Sequence, residues 1–299
     1  MRFLISGSTG FLGSALATFL HQHGYDVIGL VRHQKHPIPE IVWDPAKRIL
    51  NTDLLEGFDV VVHLAGENIA QRWTPKNKQA IRDSRVLSTS FLCENLATLK
   101  KPPHVLISSS ATGYYGDRGD EILDEESPAG CGFLASLCQE WEAATRPAEN
   151  AGIRVVHLRT GVVLSAGGGA LKKMLPPFRL GLGATLGEGS QYMSWISLED
   201  WLRIIPFLAL TSSITGPVNA VAPQPVTNNE FTRALAQAVG KRSFLHIPKS
   251  LLRLALGELA DEALLISQRV FPAKLAATGF VFERSHLQEA LVELTEISD

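Results

Sequence analysis

The stretch Arg2-Phe3-Leu4-Ile5-Ser6-Gly7-Ser8-Thr9-Gly10-Phe11-Leu12-Gly13 decides the fold. An apolar run suited to a buried strand breaks into a G-x-x-G-x-x-G loop, and Leu12 to His23 then reads as a helix stopped by Gly24. In that setting glycines permit a tight turn, let the backbone approach a pyrophosphate, and let helix and strand pack closely. The helix N-terminus adds unpaired N–H groups and partial positive charge. Gly7, Ser8, Thr9, Gly10, Phe11, Leu12 and Gly13 are therefore candidate cofactor-binding residues. The competing reading is a flexible turn with coincidental glycines, and the strand before and helix after weigh against it.

Outward from this unit the same alternation continues. Asp26 to Val31, Asp59 to Leu64, His104 to Ser108 and Arg154 to Leu158 are short apolar runs rich in β-branched residues, each read as a buried strand. Helix-like stretches separate them, among them Thr74 to Leu99, where Thr74 can cap and Pro75 suits the first helical position. Alternating strands and helices imply right-handed crossovers, hence an α/β fold: a Rossmann-type doubly wound parallel sheet. After Leu164 the density of Gly and Pro rises and breaks the pattern. The expected organisation is a dinucleotide-binding domain over residues 1–165, with a returning segment near 216–240, and a smaller C-terminal substrate lobe over 166–299. Val218 to Val221 suggests a returning strand, and Thr227 with Glu230 resembles a capping box opening a helix that runs to Val239.

Composition narrows the function classes. Of 299 residues, 45% are hydrophobic and 19% charged, a balance that excludes an intrinsically disordered chain. The formal net charge of -2 gives no electrostatic reason to expect nucleic acid or an anionic membrane as partner. Cys93, Cys131 and Cys138 form no C-x-x-C pair, which suggests neither a disulfide framework nor a thiolate metal site and fits a reducing, cytoplasmic compartment. The first apolar run is too short for a signal peptide, and the stretch Trp201 to Leu210 is interrupted by Arg203 and Pro206, so no membrane span is expected. The expected partner is a small-molecule substrate; no feature of the sequence specifies an oligomeric state.

Where an NAD-preferring protein would carry an acidic residue after the second strand, this chain has Arg32, followed by His33, Lys35 and His36. A carboxylate there repels a 2′-phosphate, whereas a guanidinium pairs with it and stacks on adenine, so NADP (NADPH) is expected over NAD. The alternative is that Arg32 is a solvated loop cation. Leu64-Ala65-Gly66-Glu67-Asn68 follows the next strand, with small residues suited to close approach to the adenosine half. Arg82 and Arg85, three apart on the next helix, share a face, either solvated or directed at the cofactor. Ser108-Ser109-Ser110-Ala111-Thr112-Gly113-Tyr114-Tyr115-Gly116 puts hydroxyls and phenols at the carboxyl end of the sheet, where doubly wound proteins bind ligands. Those side chains either carry chemistry or only cap turns and pack.

Taken together, Gly7 to Gly13, Leu64 to Ile69, Ser110 to Gly116, Arg159-Thr160-Gly161-Val162-Val163-Leu164 and Leu175-Pro176-Pro177-Phe178-Arg179-Leu180-Gly181-Leu182-Gly183 give the chain its resemblance. It resembles an atypical extended short-chain dehydrogenase/reductase of the NAD-dependent epimerase/dehydratase-like family, in the subgroup of YfcH-type and SDR39U1-like epimerases. The resemblance spans nearly the whole chain and implies a separate C-terminal module from about Phe244. Arg85 and Val163 join the cofactor-binding candidates, and Ser110 fits the superfamily's hydroxyl position. One departure stands out. Ordinary members carry Tyr-x-x-x-Lys on the helix after this strand, but here it reads Phe133-Leu134-Ala135-Ser136-Leu137-Cys138-Gln139-Glu140-Trp141-Glu142. Aligning Glu142 with the acidic residue that usually ends the motif puts Leu134 and Cys138 in the two catalytic places. A hydrocarbon cannot titrate, and Cys138 is expected on an apolar face.

Two functions follow as expectations. The first is an NADP-dependent epimerase or oxidoreductase acting on a small polar or nucleotide-linked substrate. In it Ser110 polarises an oxygen, Tyr115 or Tyr114 replaces the missing acid/base, and Arg179 and Gln191 contact substrate. The second is a protein that binds NADPH as a structural or sensing ligand with little or no catalysis, which the missing Tyr and Lys favour.

Overall fold

The structure is a computed structural model that describes residues 1–34 and 39–296. Lys35 and His36 lie outside the described residues.

Phe3, Leu4 and Ile5 are wholly buried in the first strand, β1 (Arg2–Ser6), which pairs in parallel with β2 (Asp26–Val31). Two further strands follow β2, namely β3 (Glu40–Asp44) and β4 (Ile49–Leu50), the first parallel to β2 and the second antiparallel to β3. On its other side β1 pairs in parallel with β5 (Val60–His63), and β5 in turn with β6 (Val105–Ala111). The strands Arg154–Thr160 and Gly216–Ala220 complete an eight-stranded sheet ordered Gly216–Ala220, Arg154–Thr160, β6, β5, β1, β2, β3, β4. Because β2 and β5 both run parallel to β1 on opposite sides, the strand order reverses at β1. In a doubly wound sheet, ligands bind at the carboxyl end of such a switch point.

Helix α1 (Phe11–Gln22) follows the glycine loop and buries Leu16, Ala17 and Leu20. Helix α2 (Pro75–Leu96) begins as its sequence suggests, with Thr74 Oγ1 accepting from the Asn77 N–H and Pro75 at the first position. The α/β fold and its large parallel sheet agree with the sequence reading. The reading assigned no strand to Glu40-Ile41-Val42-Trp43-Asp44, however. That stretch is an alternating run in which Ile41 and Trp43 are buried and Val42 is half exposed, and only pairing with β2 reveals it as a strand. The strand expected over His104 to Ser108 also runs on to Ala111, so Ser109 and Ser110 belong to the strand and not to a turn beyond it.

The described chain forms two compact units that interleave in sequence. The first comprises Met1–Ser110, Leu137–Leu158 and Ile205–Pro217; the second comprises Ala111–Ser136, Arg159–Ile204 and Val218–Asp299. Helices α3 (Phe133–Ala143) and α4 (Arg146–Asn150) precede the strand Arg154–Thr160. The second unit contains most of α6 (Leu198–Leu210), and its helices α5 (Gly169–Arg179) and α7 (Asn228–Ala238) contribute to a core that includes Leu164, Leu175, Phe178, Trp195, Phe231 and Leu291. Helix α7 opens with the expected capping box: Thr227 Oγ1 accepts from the Glu230 N–H, and Glu230 accepts from the Thr227 N–H. The remaining chain is mostly helical, with Lys249–Leu256, Ala273–Ala277 and Leu287–Glu296. Among the described residues no helix is long and apolar enough to cross a membrane.

Candidate functional site

A groove of about 790 Å³ opens in the first unit. It is lined by Gly7, Thr9 and Gly10 of the glycine loop, by Leu30, Val31, Arg32 and His33 from the end of β2, and by Leu64, Ala65, Gly66 and Glu67 after β5. The glycines here differ in duty. Gly7 is in the left-handed region, and a Cβ there would stand 2.9 Å from the Leu64 backbone. A Cβ on Gly13 would collide with the Gly7 carbonyl, so this position sets how closely α1 packs on the loop. Gly10 has an ordinary φ of -82° and is exposed; a Cβ there would sit 3.3 Å from the Gly7 oxygen, close but not prohibitive. No side chain caps the first turn of α1. The Ser8 hydroxyl is buried without a hydrogen-bond partner, an arrangement that costs free energy unless a polar group arrives to satisfy it. A tight glycine loop, an uncapped helix start and a waiting hydroxyl fit the pyrophosphate of a dinucleotide.

The loop after β5 is held from below. Ser6 Oγ accepts the Leu64 and Ala65 N–H groups at 3.2 and 3.3 Å, and it lies 2.6 Å from His63 Nδ1. His63 is wholly buried, which pulls its pKa down to about 4, so the imidazole is neutral at physiological pH. Arg85 braces the same loop: its Nη1 donates to the Glu67 carbonyl at 2.9 Å and its guanidinium lies 5.1 Å over the Trp141 ring. Arg82 also reaches α3, pairing with Glu140 at 2.6 Å, so the two arginines do share a face, and it is directed at a neighbouring helix.

The groove has a wall that sequence reasoning missed. Trp43, Asp44, Pro45, Ala46 and Lys47, at the turn between β3 and β4, line it together with Asp83 and Ser84 of α2. The available signal was the in-out alternation from Glu40 to Asp44 followed by Asp-Pro, a turn-forming pair.

Ser110 is buried and donates its hydroxyl hydrogen to Glu142 Oε1 at 2.7 Å. The other Glu142 oxygen lies 4.0 Å from His157 Nδ1, and His157 Nε2 lies 2.9 Å from Thr145 Oγ1. Glu142 entered the sequence reading only as an alignment marker, yet it is the partner of Ser110. On α3, Leu134 is half-buried and Cys138 buried.

The second unit holds both candidate phenols. Tyr115 is fully enclosed: it donates to Asn219 Oδ1 at 2.7 Å and accepts from Arg159 Nη1 at 3.0 Å. Burial pushes its pKa up to about 12 although Arg159 opposes the shift. Tyr114 is half-buried, with the Arg159 guanidinium 3.4 Å from its ring centroid. Gln191 directs its amide N–H groups to the carbonyls of Leu186 and Leu264, at 2.9 and 3.2 Å. Arg179 is exposed at the end of α5, and Val163 sits in the strand Val162–Ser165, paired with Ile196. Of the expected residues, Gly7, Thr9, Gly10, Arg32, Leu64, Ala65, Gly66 and Glu67 line the first-unit groove, Ser110 pairs with Glu142, and Tyr114 and Tyr115 meet Arg159.

The sequence profile of the NAD dependent epimerase/dehydratase family matches residues 3–219, and that of a domain of unknown function (DUF1731) matches residues 247–294. An epimerase family protein of Mycobacterium bovis is 47% identical over 288 residues, covering 96% of this chain and 95% of that protein. The crystal structure of human epimerase family protein SDR39U1, solved with NADPH, superposes with a TM-score of 0.91 at 34% identity and covers 99% of both chains. A nucleoside-diphosphate sugar epimerase from Corynebacterium glutamicum gives a TM-score of 0.81 at 40% identity, covering 98% of this chain and 58% of that one.

Proposed function

The chain belongs to the NAD dependent epimerase/dehydratase family, and from that premise we propose that it binds NADP(H) in the first-unit groove and acts on a small polar or nucleotide-linked substrate. The observation that carries the cofactor assignment is that Arg32, at the end of β2, lines one groove with Gly7, Thr9 and Gly10 of the glycine loop, whose Ser8 hydroxyl is buried without a partner. Ser8 and the first turn of α1 are suited to the pyrophosphate, and Arg32 to a 2′-phosphate. The NADPH in the human relative and the nucleoside-diphosphate sugar in the name of the bacterial one support the same choice of cofactor and substrate class. The second unit would then serve as the substrate lobe, and three cysteines without a disulfide fit a reducing compartment such as the cytoplasm.

When bound, the nicotinamide supplies hydride exchange. Ser110 is the group we assign to polarising the reacting oxygen, a role in which its hydroxyl turns its one hydrogen from Glu142 to the substrate. Tyr115 is assigned to holding Arg159, because an enclosed phenol with a pKa of about 12 makes a poor proton carrier at neutral pH. Tyr114 is left as the phenol for acid/base work. Titrating the protein with NADPH and NADH, before and after Arg32→Asp, tests the cofactor assignment. NADPH should bind at least tenfold tighter than NADH, about the effect of one charge-assisted pair, and the substitution should erase that margin. Equal affinities in the unmodified protein overturn it.

A second reading has its own observation. Leu134 and Cys138 occupy the aligned places of the usual Tyr and Lys, and Cys138 is buried, which favours a protein that binds NADPH as a structural or sensing ligand. Single-turnover oxidation of bound NADPH, followed by absorbance across a panel of sugar nucleotides and carbonyl compounds, separates the two. Turnover of any panel member supports the enzyme, and tight binding with no turnover supports the sensor.

A further inference from the structure

We infer that Lys47, on the turn between β3 and β4, is the second arm of a phosphate clamp whose first arm is Arg32, and that together they select the 2′-phosphomonoester of NADP over the bare ribose of NAD. The inference rests on the NADP reading above and adds to it a residue and a structural element.

The geometry follows from strand pairing. β2 and β3 are parallel neighbours with Val31 beside Val42, so Arg32 and the residues after Val42 emerge at the same end of adjacent strands. Arg32 and Lys47 both line the groove there. The turn that carries Lys47 is held firmly. Trp43 is buried and stacks on Phe91 of α2, while Arg48 takes the left-handed conformation, pairs with Glu94 and lies 4.9 Å over the Phe91 ring. Inside the turn the Asp44 carboxylate accepts the Lys47 N–H at 3.2 Å. The Lys47 backbone is therefore fixed while its ammonium stays mobile on a four-carbon stem.

That ammonium rests 3.3 Å from Asp44 Oδ2 in a pair open to solvent, with the lysine side chain 75% exposed. An exposed pair of this kind contributes little, so moving the ammonium from Asp44 to a doubly charged phosphate beside Arg32 gains more than it loses. When the ribose carries no phosphate, nothing draws Lys47 away from Asp44. Lys47 is thus coupled to the presence of the 2′-phosphate and indifferent to the remainder of the dinucleotide.

The test measures binding by the full chain without any turnover. Four ligands are titrated: NADPH, NADH, adenosine 2′,5′-bisphosphate and adenosine 5′-monophosphate, each pair differing at the 2′-position in the presence of a phosphate. Lys47→Ala is expected to weaken NADPH and the bisphosphate about tenfold, the size of one lost charge-assisted contact, while NADH and the monophosphate change by less than about twofold. Because Lys47 is exposed, the variant should keep its fold, checked by an unchanged melting temperature. If the unmodified chain prefers NADPH and Lys47→Ala leaves that preference intact, or weakens all four ligands alike, the clamp is overturned while the NADP reading stands. If the unmodified chain shows no preference at all, the NADP reading falls and the clamp with it.

Discussion

Tyr115 donates its phenolic hydrogen to Asn219 across 104 residues of sequence, at 2.7 Å. The same Asn219 presents its backbone N–H to Glu125 Oε1 at 3.0 Å and its side-chain N–H to the Phe271 carbonyl at 3.0 Å. Glu125 is itself buried, and burial raises its pKa against the N–H groups it accepts. This polar web lies within the second unit and ties the segment after β6 to the strand at Asn219 and to the C-terminal chain. A phenol in this setting organises its neighbours more readily than it exchanges protons.

Replacing Tyr115 by Phe should therefore register in stability. It leaves Asn219 Oδ1 and the Arg159 guanidinium each short of a partner in the interior, which should cost about 1–3 kcal/mol. The pKa of about 12 also fixes a pH dependence. The phenol's folded pKa lies above its ordinary value of 10.0, so its contribution is complete below about 10 and is lost as pH rises towards 12. Chemical denaturation at neutral and alkaline pH checks both: the unmodified protein should lose stability over that interval more steeply than Tyr115→Phe. Equal stability of the two proteins at neutral pH would remove the structural role.

His63 gives the opposite sign. Its folded pKa of about 4 lies below the ordinary 6.5, so neutral burial contributes fully above 6.5 and is lost as pH falls through about 4. The contribution is on the order of 3 kcal/mol. Melting curves of the unmodified protein should fall steadily over that range, and His63→Gln, which removes the titration, should flatten the slope while lowering the plateau. Parallel slopes would show that other groups dominate acid sensitivity.

What the sequence disclosed follows from how local each signal is. The β1 strand, the glycine loop and α1 occupy contiguous residues, and each carries a pattern of its own, so all three were legible. The hairpin of β3 and β4 was not, because five alternating residues become a strand only when β2 supplies the hydrogen bonds. With the hairpin went Lys47 and Asp44. Ser110 was legible from its place at the end of a strand, but its partner Glu142 lies 32 residues on, where no local pattern joins them. Tyr115 and Tyr114 are adjacent and alike in sequence, and only the packed second unit separates a buried phenol from a half-buried one.

The cysteines should report that packing directly. Cys131 is exposed, whereas Cys93 and Cys138 are buried and burial pushes the Cys93 thiol up to about 12. A thiol reagent at neutral pH should label Cys131 rapidly and the other two only on unfolding, and Cys138→Ala should leave NADPH affinity within about twofold because its side chain is sequestered on α3. Fast labelling of Cys138 in the folded chain would show that α3 does not pack as described.

Gly13 and Gly10 provide the sharpest contrast. Both belong to the loop that reads as a phosphate cradle, yet they answer to different neighbours. A side chain at Gly13 must displace the Gly7 carbonyl, a backbone atom fixed by the start of α1, so Gly13→Ala should destabilise the fold by about 1–3 kcal/mol or more, the scale of forced overpacking. Gly10 meets only the Gly7 oxygen at 3.3 Å, its φ is one any residue adopts, and it lines the groove. Gly10→Val should consequently retain most of its melting temperature but lose NADPH affinity by a factor of about ten or more, because branched carbons stand where the pyrophosphate must approach. Thermal melts of both variants with and without NADPH make the comparison. The unmodified protein should gain melting temperature on adding cofactor and Gly10→Val should not, whereas Gly13→Ala should start from a lower temperature. A Gly10→Val protein that is still stabilised by NADPH as strongly as the unmodified chain would move the cofactor away from this loop.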